Sequence, residues 1–194
     1  WLPRVFEVFE PFSKVDYVAA ISGSYLATPN IFTSSDLLDS YRRLLDAAEE
    51  QQKFFAACGR CSAMLTEEGF PSISGGGSAT AFDMLGDSLR GTFGMMPDLL
   101  EQPENVKRAC EMFVKLQIAQ SVASYKRSGN RYQWVMLHKG FDNFIGDETY
   151  AEFYWPYLRQ WIMALIDEGI VPVVFCEGAY NTRLKYLADV PKGK

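Results

Sequence analysis

The hydrophobic pattern first becomes periodic at residue 36. From there to residue 68, apolar residues recur at Leu37, Tyr41, Leu44, Leu45, Ala48, Phe55, Cys58 and Leu65, a spacing that lines one side of a helix. Ser35 stands where a cap belongs, and Asp36 and Asp39 fall in the first turn, where acidic side chains favour the helix dipole. A helix of this length is long for a globular protein and predicts a bend. Before it, residues 1–34 are rich in Pro, Gly, Ser and aromatics and show no clean period, apart from a short helical stretch, RVFEVFEPF, ahead of Pro11.

From residue 70 onward, short apolar runs alternate with long helical stripes. GFPSIS reads as a strand at 70–74, and GGGSATAFDMLGDSLRGTFG as a glycine-rich loop with a helical turn. MMPDLLEQ makes a short helix. Pro103 suits the first turn of the next one, whose stripe is Val106, Ala109, Cys110, Phe113, Leu116 and Ala123 and which ends near Ser128. YQWVMLH is a strand at 132–138, followed by the loop KGFDNFIG. Asp147 caps a helix over about 148–168, kinked or divided at Pro156 and ended by Gly169. VPVVFC is a strand at 171–176, and AYNTRLKYLADV starts another helix. This alternation favours an α/β fold with a parallel sheet covered by helices. The pattern alone leaves a barrel and a doubly wound sheet both open.

Composition adds mainly exclusions. The 194 residues suffice for a single domain, 1–194, and a net charge of −5 favours neither nucleic acid nor an anionic membrane surface. No apolar run approaches the roughly 20 residues of a membrane helix, and no signal-peptide pattern opens the chain. Four cysteines are too few for a disulfide scaffold and read as reduced thiols of a cytoplasmic protein. Cys58 and Cys61 have C-x-x-C spacing, but they share a helix face with no second pair and no redox-type strand before them, so they read as structural. The ends, Trp1 and DVPKGK, read as those of a piece cut from a longer protein at both sides.

In parallel α/β folds, chemistry collects where strands end. Three such places are SGGGSATAFD, HKGFDNF and CEGAYN. Side chains alternate along a strand, so Val171, Val173, Phe175 and Glu177 share one face while Val174 and Cys176 share the other. Glu177 is the one expected to face a site, because a carboxylate beside an apolar strand needs a partner, a metal or a substrate. Cys176 then packs outward. His138, the single histidine, ends its strand and is the natural acid/base. One histidine makes no Ser-His-Asp triad and no two-histidine metal site. SGGGS lacks both phosphate-loop fingerprints, although its glycines permit close backbone approach to a ligand. Arg90 and Arg183 are candidate clamps for substrate anions. Gly76, Asp142 and Tyr180 complete the candidate substrate contacts.

The segments FDMLGDSLRGTFGMMPDLLEQPENV and GDETYAEFYWPYLRQWIMALIDEGIVPVVFCEG carry a resemblance. Over roughly residues 35–190 the chain resembles the uroporphyrinogen decarboxylase superfamily, which joins decarboxylases of haem synthesis to corrinoid-dependent methyltransferases, and it is most similar to the uncharacterised anaerobe-type branch. The resemblance implies a (β/α)8 barrel with its site at the C-terminal ends of the strands. A complete barrel needs about 200–250 residues or more. With three clear strands the chain reads as an incomplete barrel, whose open strand edges favour a homo-oligomer.

The methyltransferases of this group resemble one another in a His-x-Cys-Gly that binds zinc. Aligning on Gly178 puts Phe175 at the His position and Glu177 at the Cys position. The resemblance therefore implies zinc only through a carboxylate ligand, Glu177, with further ligands from outside this chain. The Phe-Asp-Ser-like run of the decarboxylases is replaced by LHKGFDNF, and their arginine-rich N-terminal loop is not seen. The favoured expectation is methyl transfer between a small methylated substrate and a corrinoid carried by a partner protein, with His138 and Glu177 as catalytic residues. The alternatives are decarboxylation of uroporphyrinogen or another polycarboxylate, and a non-catalytic barrel that binds a ligand or the corrinoid partner.

Overall fold

The second half of the chain is organised around YQWVML. In the computed structural model, which describes residues 35–73 and 75–191, this run forms strand β2, Tyr132–Leu137. Strands β1, Gly77–Ala79, and β3, Val171–Cys176, pair with it on either side, both in parallel. The order β1-β2-β3 follows the chain, as successive units of a (β/α)8 barrel do.

The two-residue alternation of β2 decides which face is the core. Gln133, Val135 and Leu137 are buried, while Trp134 and Met136 turn to the other face. Val135 and Leu137 are completely enclosed, and burial of such a side chain stabilises by about 1.5–3 kcal/mol relative to exposure. The covering helices are α4, Pro103–Ser128, and α6, Trp155–Asp167. On α6 the buried residues Leu158, Trp161, Ile162 and Leu165 follow helical spacing. On α4 the buried line is Val106, Cys110, Val114, Gln117 and Ser121. The expected stripe is thus right at Val106 and Cys110 and wrong at Leu116, which is exposed. Two polar residues lie inside instead because each has a partner: Gln117 Nε2 donates to Ala79 O at 2.5 Å, and Ser121 Oγ accepts from Trp161 Nε1 at 3.2 Å.

The strand expected at 70–74 is displaced. Phe70 and Ile73 are exposed, and the strand falls on Gly77–Ala79. Small residues are required there because Trp134 lies across the pairing: a Cβ on Gly77 would sit 3.1 Å from Trp134 Cβ. After β1 come α2, Ala81–Met84, a π-helical segment Leu85–Leu89, and α3, Thr92–Glu101. Pro103 opens α4 as expected. Asp147 does not cap its helix. Gly146 holds the cap position, and Asp147 is the first residue of α5, Asp147–Thr149, because its carboxylate is taken by Arg183 and Lys185. A second π-helical segment, Tyr150–Tyr154, joins α5 to α6. It ends two residues before Pro156, whose missing N–H and ring cannot continue a regular turn, and so the expected division at this proline is present. Gly169, at φ +73°, follows the end of α6. The chain beyond β3 forms a 3₁₀ turn, Asn181–Arg183, and α7, Leu184–Leu187.

Where the sequence reads as one domain, contacts divide the chain into two compact units, Trp1–Pro71 and Ser72–Lys194. The described part of the first unit contains α1, Ser35–Glu67, close to its expected bounds. The short helical stretch before Pro11 lies outside the described residues. None of the described helices is long and apolar enough to cross a membrane.

Candidate functional site

Strand alternation carries past the ends of β2 and β3. His138 follows Leu137 and turns to the face of Trp134 and Met136. Glu177 follows Cys176, and its N–H still donates to Leu137 O at 3.0 Å, so parallel pairing extends one residue further. The two side chains meet: His138 Nε2 lies 3.8 Å from Glu177 Oε1. Cys176 stands in register with Leu137, on the face away from Glu177, but it is exposed rather than packed against a helix as expected, because β3 is the edge strand of the sheet among the described residues. Phe175 and Trp134 pack below the pair with ring centres 5.4 Å apart.

A second acidic residue arrives from the first strand's connection. Asp87, inside the π-helical segment, places Oδ2 2.6 Å from His138 Nδ1 and Oδ1 against the Lys139 ammonium. Burial alone would raise its carboxyl. The hydrogen bonds from Lys139 and His138 outweigh that and hold it below the ordinary carboxylate range. His138 thus sits between two carboxylates, one on each ring nitrogen, at the C-terminal ends of the strands.

The frame behind this cluster is Asp83, a fully buried carboxylate one helical turn before Asp87. Its Oδ2 accepts from His138 N at 3.0 Å, Tyr154 Oη at 2.7 Å and Thr80 Oγ1 at 2.9 Å, and its Oδ1 accepts from Lys139 N at 2.8 Å. Thr80 also caps α2, accepting from Asp83 N at 3.2 Å. Tyr154 stacks on Tyr150, with centres 4.9 Å apart, directly over Gly140. A Cβ on Gly140 would meet the Tyr154 ring at 2.8 Å and the Tyr150 ring at 3.0 Å. Gly140→Ala is therefore expected to destabilise by about 2 kcal/mol through overpacking, read as a lower urea midpoint at unchanged slope.

The other expected site residues lie elsewhere or are already engaged. Arg90 pairs with Asp98 through two hydrogen bonds, at 2.6 and 3.1 Å, and each group strengthens the ionised form of the other. Arg183 is buried: it donates to Ile145 O at 2.6 Å and Asp147 Oδ1 at 2.5 Å and lies over the Tyr150 ring. Neither has a free guanidinium for a substrate anion. Asp142 ties the two strand-end loops, accepting from Thr182 N and Thr182 Oγ1 at 3.2 and 2.8 Å. Tyr180 is buried, which raises its phenol above the ordinary value. Gly76 lines a polar cleft with Gln117, Ser124 and Gln133, beside the start of β1 rather than at the strand ends. Cys58 and Cys61 are exposed on α1. Alkylation without reductant is expected to modify both, and one disulfide's loss of two hydrogens in the intact mass would sink their reading as free thiols.

Asp83, Asp87 and Lys139 were not singled out by sequence reasoning. A usable signal exists: TAFD has the spacing of a capping box, and aspartates four apart share a helix face.

The model of the family described as uroporphyrinogen decarboxylase matches residues 13–192. The chain belongs to the uroporphyrinogen decarboxylase family. No curated protein and no solved structure matches it. The three parallel strands with outer helices suit the barrel of this family, and the cluster lies at the strand ends where barrel enzymes carry their chemistry. Zinc is a different matter. A catalytic zinc takes three protein ligands, whereas His138 Nε2 and Glu177 Oε1 make two, and among the described residues no group of three or more His, Cys, Asp or Glu side chains can hold a metal. Among the described residues the donors do not form a zinc shell.

Proposed function

We propose that this chain carries the acid–base centre of a methyltransferase that passes a methyl group from a small methylated substrate to a corrinoid held by a partner protein. The observation that carries the reading is His138 set between Asp87 and Glu177, at 2.6 and 3.8 Å. When a methyl group leaves a heteroatom, the broken bond's electron pair stays on that heteroatom, which then needs a proton. Asp87 accepts from Nδ1–H, so Nε2 is the nitrogen that faces the site. In the acid form of the ring, Nε2 carries the proton that the departing heteroatom takes, and Glu177 Oε1, 3.8 Å away, is placed to hold that N–H toward the site. The corrinoid supplies the nucleophile that takes the methyl group.

Decarboxylation of a polycarboxylate calls for cationic clamps on the substrate. Arg183 is committed to internal partners, Arg90 is paired on the surface with Asp98, and Lys139 is tied to Asp87, which favours methyl transfer over that alternative.

The test uses the natural full-length protein with reduced cobalamin and a panel of methylated thiols, amines, alcohols and ethers, with uroporphyrinogen assayed in parallel. Consumption of reduced cobalamin with at least one methyl donor is expected, and a loss of about 100-fold or more in His138→Gln. Release of CO2 from uroporphyrinogen without methyl transfer would replace this reading by the decarboxylase. Binding of the partner without any turnover would replace it by a non-catalytic barrel.

A further inference from the structure

Lys139 takes an unusual path. Its side chain is only 12% exposed, and its ammonium ends on Asp87, the carboxylate that also holds His138. To get there its stem crosses Gly86: a Cβ on Gly86 would lie 2.8 Å from both Cδ and Cε of Lys139. Any side chain at this position would push that stem aside. The backbone is fixed as well, because the N–H groups of His138 and Lys139 both donate to Asp83. Two aspartates four residues apart therefore grip two consecutive residues, Asp83 by their main chains and Asp87 by their side chains.

We propose that Lys139 is the positioning residue of this site, pinning one oxygen of Asp87 so that the other is aimed at His138 Nδ1, with Gly86 as the gap that admits it. A carboxylate held by one partner can turn about its own bond and offer its oxygens to water. Asp87 is 29% exposed and has water within reach. With Oδ1 held by the ammonium, Oδ2 has one orientation, and that orientation fixes the tautomer of His138. Outer groups of this kind set the orientation of the inner ones, and their loss typically costs about 10–100-fold in activity. The inference rests on the acid role assigned to His138, but its primary readout does not need turnover.

The ring signals of His138 are those missing from His138→Gln. In ¹⁵N-labelled full-length protein, Nδ1 of this ring is expected to carry a proton shifted downfield by its bond to Asp87. Lys139→Met keeps most of the stem and removes the ammonium. Gly86→Ala keeps the ammonium and blocks the stem. Both are expected to lose the downfield proton, and Lys139→Met to lower kcat about 10-fold with KM little changed. Absence of the signal from the wild type overturns the inference, as does its survival in Lys139→Met. Loss in Gly86→Ala alone overturns it too, since the gap would then matter without the charge. If Gly86→Ala fails to fold, Lys139→Met decides by itself. A wild-type protein with the signal but no methyl transfer supports the positioning role and overturns the functional reading instead.

Discussion

Asp83→Ala is expected to destabilise the unit formed by residues 72–194 by about 4 kcal/mol, a large part of what holds a domain of this size together. The reason is the number of groups that lose their acceptor at once. The side chain is completely enclosed and accepts two backbone N–H groups and two hydroxyls. Alanine supplies no acceptor, and each buried donor left without one costs roughly 1–3 kcal/mol. Water entering the space would recover part of this, which keeps the expectation below the simple sum. Asp83→Asn keeps the shape and one acceptor oxygen but turns an NH2 toward a donor, so it should fall between alanine and wild type. Urea titrations of all three proteins, followed by tryptophan fluorescence, measure this. A shift in midpoint worth less than about 1 kcal/mol for Asp83→Ala would mean that this carboxylate does not organise the strand ends.

The same residue shows where reading the sequence reached its limit. β2 and β3 are legible because Tyr132–Leu137 and Val171–Cys176 are short runs of largely apolar side chains. β1 is not, since glycine, serine and alanine carry little strand preference. What makes Gly77–Ala79 a strand is the Cβ of Trp134 packed against Gly77 and the amide of Gln117 reaching Ala79 O, two contacts from distant parts of the chain. The site divides in the same way. The meeting of His138 and Glu177 follows from period-two alternation on neighbouring parallel strands. Their third partner does not, because Asp87 comes from the connection after β1, and the alternation of β2 and β3 says nothing of where that connection lies against the strand ends. Arg183 was misleading for a related reason. Its position after a strand suggests a ligand contact, but whether an arginine is free depends on what surrounds it, and here Asp147, Ile145 O and the Tyr150 ring already do.

The sharpest functional expectation concerns the neighbours Cys176 and Glu177. They differ in facing: Cys176 is in register with buried Leu137, and Glu177 reaches His138 across the end of the pairing. Glu177→Gln keeps size and shape and removes the charge. Without that charge Nε2, the nitrogen that delivers the proton, loses the acceptor that holds its N–H toward the site. Activity in methyl transfer should fall by about 100-fold or more, while the melting temperature hardly moves, because the side chain is half exposed and accepts no short hydrogen bond. Cys176 is exposed, so Cys176→Ala should leave stability within about 0.5 kcal/mol of the wild type and kcat within a factor of about two. Turnover and melting measured together on both variants separate a thiol site from a carboxylate site. If Cys176→Ala abolishes turnover at unchanged stability while Glu177→Gln stays active, the functional group at the end of β3 is the thiol on the opposite face, and the acid–base centre assigned to His138 and Glu177 is wrong.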